Sequence, residues 1–137
     1  MPRWDQVDML DIPSKLLPLT TVVNVIPQPL DFVYRFWGTR FTNIHKQEMT
    51  GKSINELLPV QFSKSAKQGF MTILERKEPI LFHLTVHNKN VILIDDKTIR
   101  LPLSDDGITV NKIMTVTDST NLTNISIELL FKDLDED

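Results

Sequence analysis

The longest stretch of this chain with helical periodicity lies mid-chain, and β-rich runs flank it on both sides. Phe62, Ala66, Phe70, Ile73 and Leu74 recur at helical spacing and mark a helix over about 63–77, closed by Pro79. Ahead of it stand Val22-Val23-Asn24-Val25-Ile26 and Phe32-Val33-Tyr34-Arg35-Phe36-Trp37, both rich in β-branched or aromatic residues. Behind it come apolar runs over 80–87, 91–94, 98–103 and 108–117. Asn88-Lys89-Asn90, Asp95-Asp96-Lys97 and Ser104-Asp105-Asp106-Gly107 read as the turns between them, the last ending in the Asp-Gly hairpin signal. That makes six runs, or five strands if one pair is a single bent or bulged strand. Strands, then helices, then strands give an α+β domain with an antiparallel sheet and helices over one face.

The first 30 residues hold five of the eight prolines: Pro2, Pro13, Pro18, Pro27 and Pro29. Each proline lacks a donor and clashes with the preceding turn, so no long helix fits there. A short helix over 14–17, with Pro13 in its first turn, is the most this segment allows. The expected organisation is an N-terminal arm over 1–20, a core over 21–120 and an acidic tail or linker over 121–137.

Within the second strand, Phe32, Tyr34 and Phe36 alternate to one face and Val33, Arg35 and Trp37 to the other. Both faces carry large groups, so both are expected to be covered, one of them by the arm. Between strand and long helix, Phe41 and Ile44 belong to a short helix stopped by Met49-Thr50-Gly51, the glycine being free to turn left-handed. Ser53-Ile54-Asn55-Glu56 is a capping box opening another short helix.

Composition narrows the chemistry. The 137 residues contain no cysteine, which excludes disulfides, thiolate metal sites, iron–sulfur clusters and a cysteine nucleophile. The net charge is −3, and 132–137, with one basic and four acidic residues, carries all of it. The rest balances without a basic stripe, so nucleic acid is not an expected partner. No apolar run approaches the ~18 residues that cross a bilayer, and the first residues do not form a secretory signal. A cytoplasmic protein without a membrane partner is expected.

Four segments resemble a known family. Asp31-Phe32-Val33-Tyr34-Arg35-Phe36-Trp37-Gly38-Thr39, followed by Met49-Thr50-Gly51-Lys52, is similar to the F-x-YR-x-x-GT and LTG[KR] pattern of a bacterial PAS-like subfamily. Leu101-Pro102-Leu103-Ser104-Asp105-Asp106-Gly107 resembles its LPLSDDG hairpin, and Asp11-Ile12-Pro13-Ser14-Lys15-Leu16-Leu17-Pro18 its opening segment. The resemblance covers roughly residues 10–118. It implies a five-stranded antiparallel sheet with short helices on one face. The chain departs from the pattern at Asp118-Ser119-Thr120, where many PAS domains carry an apolar residue between Asp and Thr. The 17 residues of 121–137 are too few for a kinase or cyclase, so any output domain lies on another chain or outside this one.

Several candidate chemistries fall away. His83 and His87 alternate along a strand, where four residues at ~3.3 Å each separate them by about 13 Å, too far to share an ion. A solvated sheet face is the reading. His45 lies where some PAS domains carry a haem ligand, but no further signature accompanies it, and it reads as structural. Light-sensing through a cysteine–flavin adduct is excluded, whereas a noncovalent flavin is compatible with the composition. Arg35 reads as an ion pair holding the sheet to a helix or to the arm, with an anion clamp as the alternative. Asp95-Asp96 and Asp105-Asp106 are neighbours on turns and cannot flank a scissile bond.

The aromatic set Tyr34, Phe36, Phe41 and Phe70, with Leu84, Val86 and Met114, is expected to line the space between sheet and helices. It forms either a filled core or an apolar cavity for a small ligand with Tyr34 as its polar handle. No cofactor is specified. The resemblance implies a sensory module, not an enzyme, that responds to a small molecule and passes the change to an effector protein or domain. The alternative is a ligand-free module that homodimerises through Trp37, Val33 and Leu16-Leu17.

Overall fold

The β-branched and aromatic runs before the helices form β1 (Thr20–Pro27) and β2 (Leu30–Trp37). Two helices follow, α1 (Thr39–His45) and α2 (Val60–Arg76), and then β3 (Ile80–Asn88), β4 (Val91–Leu103) and β5 (Lys112–Ser119). In this computed structural model residues 1–88 and 91–119 are described, the side chains of 84–95 and 119 excepted. The expected turn at 88–90 and the tail over 121–137 therefore lie at or beyond the described residues. The strands make one antiparallel sheet in the order β2-β1-β5-β4-β3. It is the expected α+β architecture with five strands.

Alternation sorts the sheet into two faces. On one, Val23, Phe32, Tyr34 and Ile113 join Phe70 and Ile73 of α2, with Met49, Ile54 and Leu57 from the connecting segment. On the other, Val22, Leu103 and Met114 are covered by Trp4, Val7, Met9 and Ile12 of the N-terminal arm. The arm is a chain of short 3-10 turns at Trp4–Gln6, Met9–Asp11 and Leu17–Leu19. Around the expected helix at 14–17 there is one hydrogen-bonded turn, in which Leu16 and Leu17 N–H donate to Pro13 O at 2.8 and 3.1 Å. The arm is tied down at its start by Ser104 N–H, which donates to Pro2 O at 2.9 Å.

A bulge in β2 corrects the reading of its faces. Val22 pairs with Phe36 and Val23 with Tyr34, so Arg35 is the extra residue and has no partner in the ladder. One inserted residue reverses the alternation beyond it. Phe36 therefore turns to the arm side, beside Met114, and Trp37 turns into the main core, where it is 6% exposed. Trp37 is thus a core residue and not a surface for a second chain. Arg35, exposed at the bulge, lies 5.6 Å from the centre of the Trp4 ring. It holds the arm through a cation–π contact instead of the expected ion pair.

β4 corrects a second expectation. Asp95-Asp96-Lys97 is not a turn but the middle of one 13-residue strand. β4 is interior, and Asp96 pairs with Leu84 on one side and Ser119 on the other. Two ladders satisfy its backbone, and that outweighs the weak turn preference of Asp-Asp-Lys. Nor does the last strand begin at 108. The Asp106 carboxylate accepts from Ile108 N–H at 2.8 Å, Thr109 N–H at 2.7 Å and Ser104 Oγ at 2.9 Å. Those bonds take up the backbone donors that a strand would use and hold its carboxyl down at about 2.

The helices sit close to their expected places. α1 stops at His45, where Lys46 takes the left-handed conformation (φ 57°), and Gly51 (φ 82°) follows in the next turn. Ser53 and Glu56 form the expected capping box, and Ser53 Oγ also donates to Asp31 Oδ1 at 2.8 Å, fastening the short helix to β2.

Candidate functional site

Between α2 and the sheet lies a cavity of about 560 Å³. Its aromatic side comes from Tyr34 and Trp37 of β2, Phe41 of α1 and Phe62 and Phe70 of α2, with Phe82 of β3. Tyr34, Phe41 and Phe70 are thus where the sequence places them. Phe36 and Met114 are not; they pack on the opposite sheet face under the arm. The side chains of Leu84 and Val86 lie outside the described residues.

The floor is polar, which the sequence reading does not anticipate. Thr98 and Arg100 of β4, Thr115 and Thr117 of β5 and Thr21 of β1 all turn toward the helices. Their neighbours Leu101, Met114 and Val116 turn to the arm. Thr98 and Thr117 hydroxyls meet at 3.2 Å, and Arg100 Nη1 donates to Thr115 Oγ1 at 2.8 Å. The apolar half of these alternating strands thus serves the arm, and the polar half serves the cavity.

Arg100 is the centre of this floor. Its guanidinium carbon lies 4.6 Å from the centre of the Phe70 ring and 5.5 Å from that of Phe82. A Cβ built on Gly69 would come within 2.7 Å of Arg100 Nε, so only glycine at this turn of α2 lets the side chain lie there. Nε is fully buried and has no hydrogen-bond partner. The residue as a whole is half-buried and lines the cavity. Arg3 and Asp5 pair on the surface at 3.2 Å, whereas no described carboxylate pairs with Arg100.

Removing an ion from water costs several kcal/mol even after relaxation. Cation–π contacts return roughly 0.5–2 kcal/mol and one hydrogen bond to a charged group about 1.5–3. Two rings and one threonine offset only part of the cost. Burial accordingly pulls Arg100 down to about 10, which still leaves it protonated at neutral pH. Burial pushes the Tyr34 phenol upward, and the nearby Arg100 charge opposes that shift. Tyr34 is therefore a neutral hydroxyl within electrostatic reach of the cation.

His45 closes the other end. Its ring lies 5.5 Å from Trp37, 6.3 Å from Phe41 and 5.0 Å from Phe62, centre to centre. Nδ1 donates to Leu58 O at 3.4 Å. Burial among these rings lowers its pKa to about 4, with the Leu58 carbonyl working the other way. His83 is exposed at the cavity's rim, and no group of three or more metal-ligating side chains forms among the described residues. Asp96 lines the cavity from further along β4.

No known family profile and no curated protein sequence matches this chain. Solved structures do. A sensory box sensor histidine kinase from Vibrio cholerae superposes with a TM-score of 0.56 at 17% identity, over 75% of this chain and 83% of that one. The fold is PAS-like. A LOV protein from Rhodobacter sphaeroides matches with a TM-score of 0.51 at 12% identity, over 81% of this chain and 64% of that one. In this PAS-like fold the cavity lies between the helices and the helix side of the sheet, while the arm occupies the other side. No helix among the described residues is long and apolar enough to cross a membrane.

Proposed function

We propose that this PAS-like domain is a non-enzymatic sensory module that holds a small molecule in the cavity between α2 and the sheet. The observation that carries the reading is the cavity itself, about 560 Å³ with aromatic walls and a hydrogen-bonding floor. Apolar pockets with a few convergent polar groups are the usual form of small-molecule sites. Asp105 and Asp106 are engaged in the 104–111 loop, away from the cavity, and among the described lining residues no second carboxylate accompanies Asp96, which supports binding over a paired-carboxylate catalyst.

The output runs through the sheet. Thr115 touches the cavity while its neighbours Met114 and Val116 touch the arm, and Met114 pairs with Val22 under the arm. A ligand that shifts β4 and β5 biases how firmly the arm is seated, a population shift between two packings that an effector protein or domain reads.

Native mass spectrometry of the purified protein, compared with its denatured mass and an absorbance scan, tests the reading. A reproducible mass excess lost on denaturation is expected. Bare mass at every charge state, together with no thermal stabilisation across a small-molecule library, would contradict it.

A further inference from the structure

We propose that the ligand of this cavity is an anion: a carboxylate or sulfonate on an aromatic or planar apolar body, bound through its charge to Arg100. The inference rests on the small-molecule reading above and names the chemical class. Arg100 brings a full positive charge to the cavity floor, with one hydrogen bond, to Thr115, and no carboxylate partner among the described residues. Its Nε is buried against Gly69, its Nη1 donates to Thr115, and the side chain lines the cavity. A planar guanidinium presents paired donors there that match a carboxylate or sulfonate. Tyr34 lines the same cavity and adds a neutral hydroxyl to it.

The surroundings fix the rest of the ligand. Phe70 and Phe82 flank the cation, and Tyr34, Trp37 and Phe41 continue the wall, which suits an aromatic body. Asp96 lies on the same face of β4, four residues and therefore about 13 Å away by strand rise. That separation along the strand makes the Arg100 end of the cavity the favourable one for an anionic group.

A matched pair of fluorescent probes tests this in the whole protein. 1-Anilinonaphthalene-8-sulfonate and N-phenyl-1-naphthylamine share their aromatic body and differ by the sulfonate. The wild type is expected to bind the sulfonate at one site at least about tenfold more tightly than the neutral amine, the scale of one charged hydrogen-bonding contact. Arg100→Gln should abolish the preference while the neutral probe keeps its affinity, and Arg100→Lys should restore part of it. Equal affinity of the wild type for both probes would overturn the anion inference and leave the cavity reading standing. Binding of neither probe would overturn both. The wild-type ratio decides even if Arg100→Gln fails to fold.

Discussion

Gly69 and Arg100 occupy one space: a Cβ on Gly69 would stand 2.7 Å from Arg100 Nε and 3.3 Å from the guanidinium carbon. Helix α2 therefore carries, in its buried middle, the residue worst suited to a helix interior apart from proline, and the sheet carries a cation against it. In an open helix, Gly→Ala gains about 1 kcal/mol. Here the added methyl pushes the guanidinium off its seat beside Phe70. Gly69→Ala is expected to lower stability by about 1–3 kcal/mol, as overpacking does. Urea unfolding checks it; a gain in stability would mean Arg100 moves aside freely.

Trp37 is held on every side. Its ring meets Tyr34 edge-on at 4.9 Å and Phe41 at 5.3 Å, and Nε1 donates to Gln47 O at 3.0 Å. Trp37→Ala is expected to cost about 3–5 kcal/mol, the range for a large aromatic in a core. Were Trp37 a surface contact for a second chain, the monomer's denaturation midpoint would barely move.

His45 makes the fold sensitive to acid. Its folded pKa, about 4, lies below the ordinary 6.5, so between those values the unfolded chain binds a proton that the folded chain does not. Stability from the neutral ring is complete above pH 6.5 and is lost as pH falls toward 4, by at most about 3 kcal/mol. His45→Gln should flatten this part of the stability–pH curve, measured by chemical denaturation at each pH. Parallel curves for variant and wild type would refute the assignment.

The arm shields Val22, Leu103 and Met114, which are 0%, 2% and 5% exposed with it in place. Removing residues 1–12 strips Trp4, Val7, Met9 and Ile12 from them and bares an apolar sheet face. The truncated protein is expected to unfold at lower temperature and to self-associate in light scattering. A monomer with an unchanged midpoint would show that the arm contributes nothing to the fold.

Much of this architecture is legible in the sequence. The order of strands and helices, the capping box at Ser53 and the covering of both sheet faces follow from residue pattern alone. The site was less legible, for one physical reason. Thr98-Ile99-Arg100-Leu101 and Met114-Thr115-Val116-Thr117 alternate cleanly, and alternation does not say which half faces the helices. Assigning the apolar half to the cavity selects Met114 and misses Thr115 and Arg100. The signal that decides it is the arm: Trp4, Val7, Met9 and Ile12 need an apolar face of their own. Alternation alone misplaces Phe36 because the bulge at Arg35 leaves no mark in composition, and turn preference misreads Asp95–Lys97 because two flanking strands outweigh it.

The proposed anion lies between α2 and the helix side of β4 and β5. Amide chemical-shift mapping during titration with 1-anilinonaphthalene-8-sulfonate locates the ligand directly. Saturable shifts centred on Gly69, Phe70, Thr98, Arg100 and Thr115 are expected, with smaller ones relayed to Met114 and the arm. Shifts confined to the arm and the outer face of the sheet, or none at saturating probe, would contradict it.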